Sequence, residues 1–209
     1  MPPHGPGMFG ASHSHDPQYP DDNWNLYAML DETTSALNVT NPRDAIGVFK
    51  PHALRLNDTP ELISDADAEM IVVARFTAPV HVRKIMIIGG GDAESHPRVL
   101  KCYANRDDVD FGNVEGIKPS QQWNLQVNTN GTIELITPLA PFTNITSLTF
   151  YFPSNHGDVD VTNLKYIGMQ GEHTHYRREA VDAEYEVLCN GSDIKQPEEE
   201  KGAHNLHMH

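Results

Sequence analysis

The chain has 209 residues, 38% of them hydrophobic, and a formal net charge of −14 at pH 7. That length suits one globular domain whose core needs neither disulfides nor metal to fold. Such a charge repels phosphate backbones and anionic lipid, which argues against nucleic acid and membrane as partners and favours a basic protein surface.

Residues 1–21 are rich in Pro, Gly, His and Ser and hold almost no aliphatic side chains. They bury too little apolar area to offset their ordering entropy, so a disordered tail is expected. No basic stretch followed by an apolar run marks a signal peptide, and no apolar run approaches the ~18 residues of a membrane span. A cytoplasmic and nuclear location is expected. The folded unit is predicted over 22–192, followed by a second tail, acidic and then His-rich, over 193–209.

The first predicted element is "NWNLYAMLDETTSALN" (23–38), read as a short helix with Leu26, Met29, Leu30 and Leu37 on one face and Pro42 beyond its end. The acid-rich "SDADAEM" (64–70) is predicted to be a turn leading into a strand; it lacks the Gly and the terminal Glu of an EF-hand loop. "MIVVARF" (70–76) and "VRKIMIIG" (82–89) are two predicted strands with a turn at Ala78-Pro79. Next come Gly89, Gly90 and Gly91. A phosphate loop opens a helix so that its N–H groups face the anion. Here two carboxylates, Asp92 and Glu94, follow, and Pro97 leads into another strand pattern. The glycines are therefore read as a corner outside any helix N-terminus.

Further strands are predicted at "RVLKCYAN" (98–105), "QWNLQV" (122–127) and "TIELITP" (132–138), the last two joined by an Asn130-Gly131 hairpin turn. "SLTFYFP" (147–153) puts Leu148, Phe150 and Phe152 on one face. A turn at Asn155-His156-Gly157-Asp158 precedes "LKYIGMQG" (164–171), and "VDAEYEVL" (181–188) closes the series. About eight short strands without alternating long helices predict an all-β antiparallel sandwich.

No catalytic residue is assigned and no enzyme is expected. Ser95 and His96 are sequence neighbours, which face opposite ways in a strand, and no Gly-x-Ser-x-Gly occurs. Cys102 and Cys189 lie far apart and are read as small buried apolar groups. Trp24 and Trp123 fall in core-facing patterns, which leaves no evident platform for stacking a sugar. No cofactor and no intrinsic metal site are expected.

Four residues stand out as candidates for partner binding. His173 and His175 share one side of a strand and are read as a surface pair, with metal binding the lesser alternative because further ligands are lacking. Arg177 and Arg178 suit either a carboxylate on a partner or the nearby acids Glu179, Asp182 and Glu184. In the final tail, His204, His207 and His209 are candidate metal ligands, able to reach a metal held by a partner.

The blocks "VFKP" (48–51), "SDADAEMIVVARFTAPVHVRKIMIIGGGD" (64–92), "SHP" (95–97), "YAN" (103–105) and "YIGMQGEHTHYRREAV" (166–181) resemble the PITH domain, in order, over about 22–190. The resemblance is to the stand-alone type, without a preceding thioredoxin domain. It implies a jelly-roll β-sandwich of galactose-binding-like form. It also implies a non-enzymatic, proteasome-associated adaptor, here expected to be a monomer. The alternative is a small-ligand jelly-roll module of carbohydrate type.

Overall fold

The computed structural model describes residues 23–173. Within them lie strands β1 (Ser35–Leu37), β2 (Leu62–Ile63), β3 (Met70–Gly89), β4 (Val99–Ala104), β5 (Gln121–Asn124), β6 (Leu135–Ile136), β7 (Ile145–Phe152) and β8 (Asn163–His173). The helical elements among the described residues are short 3-10 turns. All pairings between the strands are antiparallel.

β3 organises the sandwich. Its first part, Met70–Arg75, pairs with β7, and β1 lies along Ile71–Val73 on its other edge. Its second part, Val80–Gly89, pairs with β8, while β6 takes Lys84 and Ile85. The remaining strands extend the order to β2-β8-β3-β7-β4-β5. The changeover is a large bulge: β3 advances from Arg75 to Val80 while β7 moves only from Ser147 to Ile145. Pro79 lies in it, and a proline has no N–H for a ladder. The turn expected at Ala78-Pro79 is thus a bulge in one continuous strand of 20 residues.

A second bulge sets which side chains face inward. Val82 pairs with Gly171 but Lys84 with Gln170, so one residue is extra. An extra residue flips the alternation of a strand. Met70, Val72, Ala74, Phe76, Val80 and Val82 point into the main core, and after the bulge Ile85 and Ile87 do so instead. They meet Leu148, Phe150 and Phe152 of β7, Leu100 and Cys102 of β4, and Ile167 and Met169 of β8. Each such side chain removed from water stabilises the fold by about 1.5–3 kcal/mol. The expected inward face of β7 is present, and Cys102 is a fully buried apolar residue whose thiol burial pushes to a raised pKa.

The outer faces are also covered. Ile71, Val73, Tyr103 and Tyr151 pack with Val109 and Val114 from the segment after β4. Met86, Ile88 and Tyr166 pack with Trp24, whose indole stacks on His52 at 5.7 Å. Both faces of the long strand being buried explains its near-continuous apolar sequence.

Three local expectations need correction. The helix over 23–38 is a 3-10 turn, Asn25–Met29, followed by β1. Asp31 Oδ1 accepts hydrogen bonds from the Thr33 amide (2.8 Å) and hydroxyl (2.7 Å), and these turn the chain out of the helix toward the free edge of β3. Leu26 is fully buried, but Leu37 points to solvent. The Asn130-Gly131 segment does not close a hairpin, since β5 pairs with β4 and β6 with β3. Gly131 adopts a left-handed conformation, with φ of 65°. The glycine corner is followed by a single 3-10 turn, Ala93–Ser95, where no helix was expected. Three residues cannot build the aligned dipoles of a phosphate-binding helix. The strand expected over 181–188 and both tails lie outside the described residues, as do the expected limits at 22 and 192.

The acid-rich segment before β3 is a turn, as expected. Asn38, with φ of 56°, holds it: its side-chain amide donates to Asp67 Oδ1 (2.8 Å) and the Glu69 carbonyl (2.6 Å), and its oxygen accepts from the Ala66 amide (2.9 Å).

Candidate functional site

The glycine corner forms the wall of a cavity. Gly89 ends β3 with no side chain because the imidazole of His96 occupies the place of a Cβ. Gly90 faces the Glu61 carboxylate in the same way, and Gly91 sits at φ of 60° with the Asn163 amide 2.6 Å from its missing Cβ. The corner therefore serves close packing at two positions and a left-handed turn at the third. Ser95 secures it by donating its hydroxyl to the carbonyls of Asp92 (2.8 Å) and Gly90 (3.1 Å).

His96 is 2% exposed, and its Nδ1 has no hydrogen-bond partner among the described residues. Burial pushes its imidazole below the ordinary histidine pKa, with His156 and Lys165 adding to the effect. It is held uncharged near neutrality. Its backbone is fixed as well, since its carbonyl accepts from the His156 amide at 3.0 Å and the adjoining Pro97 bridges to Asn155.

The imidazole and Gly89 line a cavity of about 140 Å³ with Ile87, Pro97, Leu125, Asn128, Ile133 and Leu135 among its walls. The chain passing from β5 to β6 forms much of its wall. Asn128 staples that crossing: its amide donates to the Ile87 carbonyl (2.9 Å) and its oxygen accepts from the Thr132 amide (3.1 Å).

A second, open cleft of about 480 Å³ surrounds Arg75, with Asp31, Thr33, Asn105, Asp107 and Thr146 on its walls. The guanidinium is engaged with Asp107 (3.2 Å) and the Thr33 carbonyl (2.6 Å). The Thr33 hydrogen bonds hold the Asp31 carboxyl below its usual pKa.

Lys50 is a third feature. It is 8% exposed, yet its ammonium donates to the carbonyls of Asn57 (2.9 Å), Pro60 (3.2 Å) and Thr59 (3.5 Å). Burial lowers its pKa. The lysine acts as a clasp on the 57–60 segment, which explains a cation inside the apolar "VFKP" block.

Of the residues singled out in the sequence, His173 ends β8 opposite Val80 and is only 8% exposed. It is packed into the sandwich rather than displayed on the surface as expected, because the alternation of β8 turns this position inward. His175, Arg177, Arg178, His204, His207 and His209 lie outside the described residues. Among the described residues no cluster of His, Cys, Asp or Glu is arranged to hold a metal ion. Trp123 packs against the core, tilted on Phe142 at 6.2 Å. The cavity at His96 was not foreseen. Its sequence signal was a glycine ending an apolar strand with a histidine seven residues on, and only the fold shows that the two touch.

Comparison with known proteins gives a consistent result. The PITH domain family model matches residues 16–188. PITH domain-containing protein 1 of Dictyostelium discoideum is 35% identical over 188 residues, covering 88% of this chain and 91% of that one. PITH domain-containing protein 1 of Homo sapiens is 33% identical over 172 residues, covering 81% and 80%. Among solved structures, the CBM32-1 and CBM32-2 domains of Clostridium perfringens ZmpB align with a TM-score of 0.50 at 14% identity, over 76% of this chain and 41% of that one. That likeness concerns fold alone, and it agrees with a jelly-roll sandwich. The match across nearly the whole sandwich, together with relatives at about a third identity, makes this chain a member of the PITH domain family.

Proposed function

We propose that the chain is a non-enzymatic protein-interaction module, a proteasome-associated adaptor that works as a monomer in the cytoplasm and nucleus. The observation that carries this reading is family membership across residues 16–188, joined to the adaptor role that the resemblance implies. The net charge of −14 supports it, since such a surface favours basic protein partners over nucleic acid. So does the edge strand β6, where Ile136 is 74% exposed, with Leu139 60% exposed just beyond it. Exposed apolar side chains grouped in this way suit a contact with another protein.

Affinity capture from cell lysate tests the reading. Proteasome subunits are expected to be enriched, and replacement of Ile136 and Leu139 by Glu is expected to weaken that enrichment without lowering the melting temperature. Capture that enriches no proteasome subunit contradicts the adaptor role.

A second reading, a small-ligand module of carbohydrate type, is favoured by the cleft at Arg75, whose Asp, Asn and Thr side chains offer the hydrogen bonds that a sugar uses. A glycan array separates the two: a saturable sugar hit lost in Arg75→Ala supports this reading, and an array without hits removes it.

A further inference from the structure

We propose that the cavity between β3, the corner that follows it and the β5–β6 crossing binds an uncharged ring that carries a hydroxyl, the phenol group. The site stands apart from the adaptor reading and does not depend on it.

Size points to a ring. The cavity measures about 140 Å³. An apolar cavity of about 150 Å³ engineered in another protein takes up benzene. Ile87, Pro97, Leu125, Ile133 and Leu135 offer apolar walls to the faces of such a ring, and Asn124 and Gln126 add exposed polar side chains to the lining.

Charge points to a neutral ligand. Among the described residues no Asp, Glu, Lys or Arg lines the cavity, so an ion entering it would lose its hydration without a counter-charge from them. The imidazole on its wall is itself held uncharged by burial.

The hydroxyl answers a specific gap. Buried polar atoms are nearly always hydrogen-bonded, and His96 Nδ1, on a side chain that is 2% exposed, has no partner among the described residues. The other buried polar side chain on the wall, Asn128, is already engaged at both ends of its amide. A hydroxyl both donates and accepts, so it satisfies Nδ1 in either neutral tautomer. Gly89 keeps this arrangement open, because any side chain there would displace the imidazole.

The phenol group has two sources, a tyrosine side chain on a peptide and a free small molecule. The full chain is titrated with phenol, toluene and N-acetyltyrosinamide and followed by NMR at the Leu125, Ile133 and Leu135 methyls and the His96 ring. Saturable shifts are expected with phenol, at about tenfold higher affinity than with toluene, the size of one net hydrogen bond. His96→Phe, which keeps a ring but removes the nitrogens, should bring phenol down to the level of toluene. Ile133→Trp, at the half-buried rim, should fill the space and abolish both. Competition by N-acetyltyrosinamide identifies a peptide side chain as the source; binding of phenol without it identifies a free small molecule. No saturable shift up to the solubility of phenol, equal affinity for phenol and toluene, or a phenol preference that survives in His96→Phe overturns the proposal and leaves a cavity filled by water alone.

Discussion

The imidazole of His96 stands where the side chain of residue 89 would be, so Gly89 and His96 form one packing unit across the corner from β3 to β4. Gly89→Ala forces one of them to move. Overpacking of a buried site costs about 1–3 kcal/mol. The variant should lose stability in that range by urea unfolding, with altered NMR shifts at His96. Wild-type stability would show that the corner yields freely.

Lys50 is the second structural test. Lys50→Met keeps the apolar stem but removes the ammonium that three carbonyls share. Acceptors deprived of a partner cost about 1–3 kcal/mol in total where water reaches them poorly. A loss of that size in chemical unfolding is expected, together with faster proteolysis in the 57–60 segment. A neutral result would mean that water replaces the clasp.

The pH dependence follows from His96. Its folded pKa is depressed below the ordinary histidine value of 6.5, first by burial and then by His156 and Lys165. The unfolded chain thus takes up a proton at a higher pH than the native one. The contribution is fully present above about pH 6.5 and is lost as pH falls through the folded pKa. Stability against pH should decline below pH 6.5 in wild type. The decline should be shallower in His96→Phe. Identical slopes would remove His96 as its source.

Arg177 and Arg178 provide a test of partner contact. If they bind a carboxylate on a partner, replacing both with Ala should weaken capture of that partner and leave the melting temperature nearly unchanged, because exposed ion pairs add only about 0–1 kcal/mol. A large drop in melting temperature would mark them as structural instead.

Much of the fold was legible because it rests on local alternation. Leu148, Phe150 and Phe152 of β7 face inward as their spacing of two requires. What stayed hidden depends on contacts distant in sequence. Ala78-Pro79 has the chemistry of a turn, but pairing with β7 on one side and β8 on the other carries the strand through it as a bulge. Leu26, Met29, Leu30 and Leu37 have helical spacing, yet the Asp31–Thr33 hydrogen bonds and the open edge of β3 draw Ser35–Leu37 into the sheet. The cavity was hidden for the same reason, since Gly89, His96 and Leu125 meet only after three strands have paired. The glycines form the corner that their place between two strand patterns implies, but their packing against His96, Glu61 and Asn163 and the 3-10 turn Ala93–Ser95 after them depend on the fold.

The most direct test of the adaptor reading mixes the purified full chain with purified proteasomes and follows them by size-exclusion chromatography. Co-migration of the chain with the proteasome peak, lost on competition with excess unlabelled chain, is the predicted result. A chain that elutes at its own volume at every proteasome concentration tried would contradict the adaptor role.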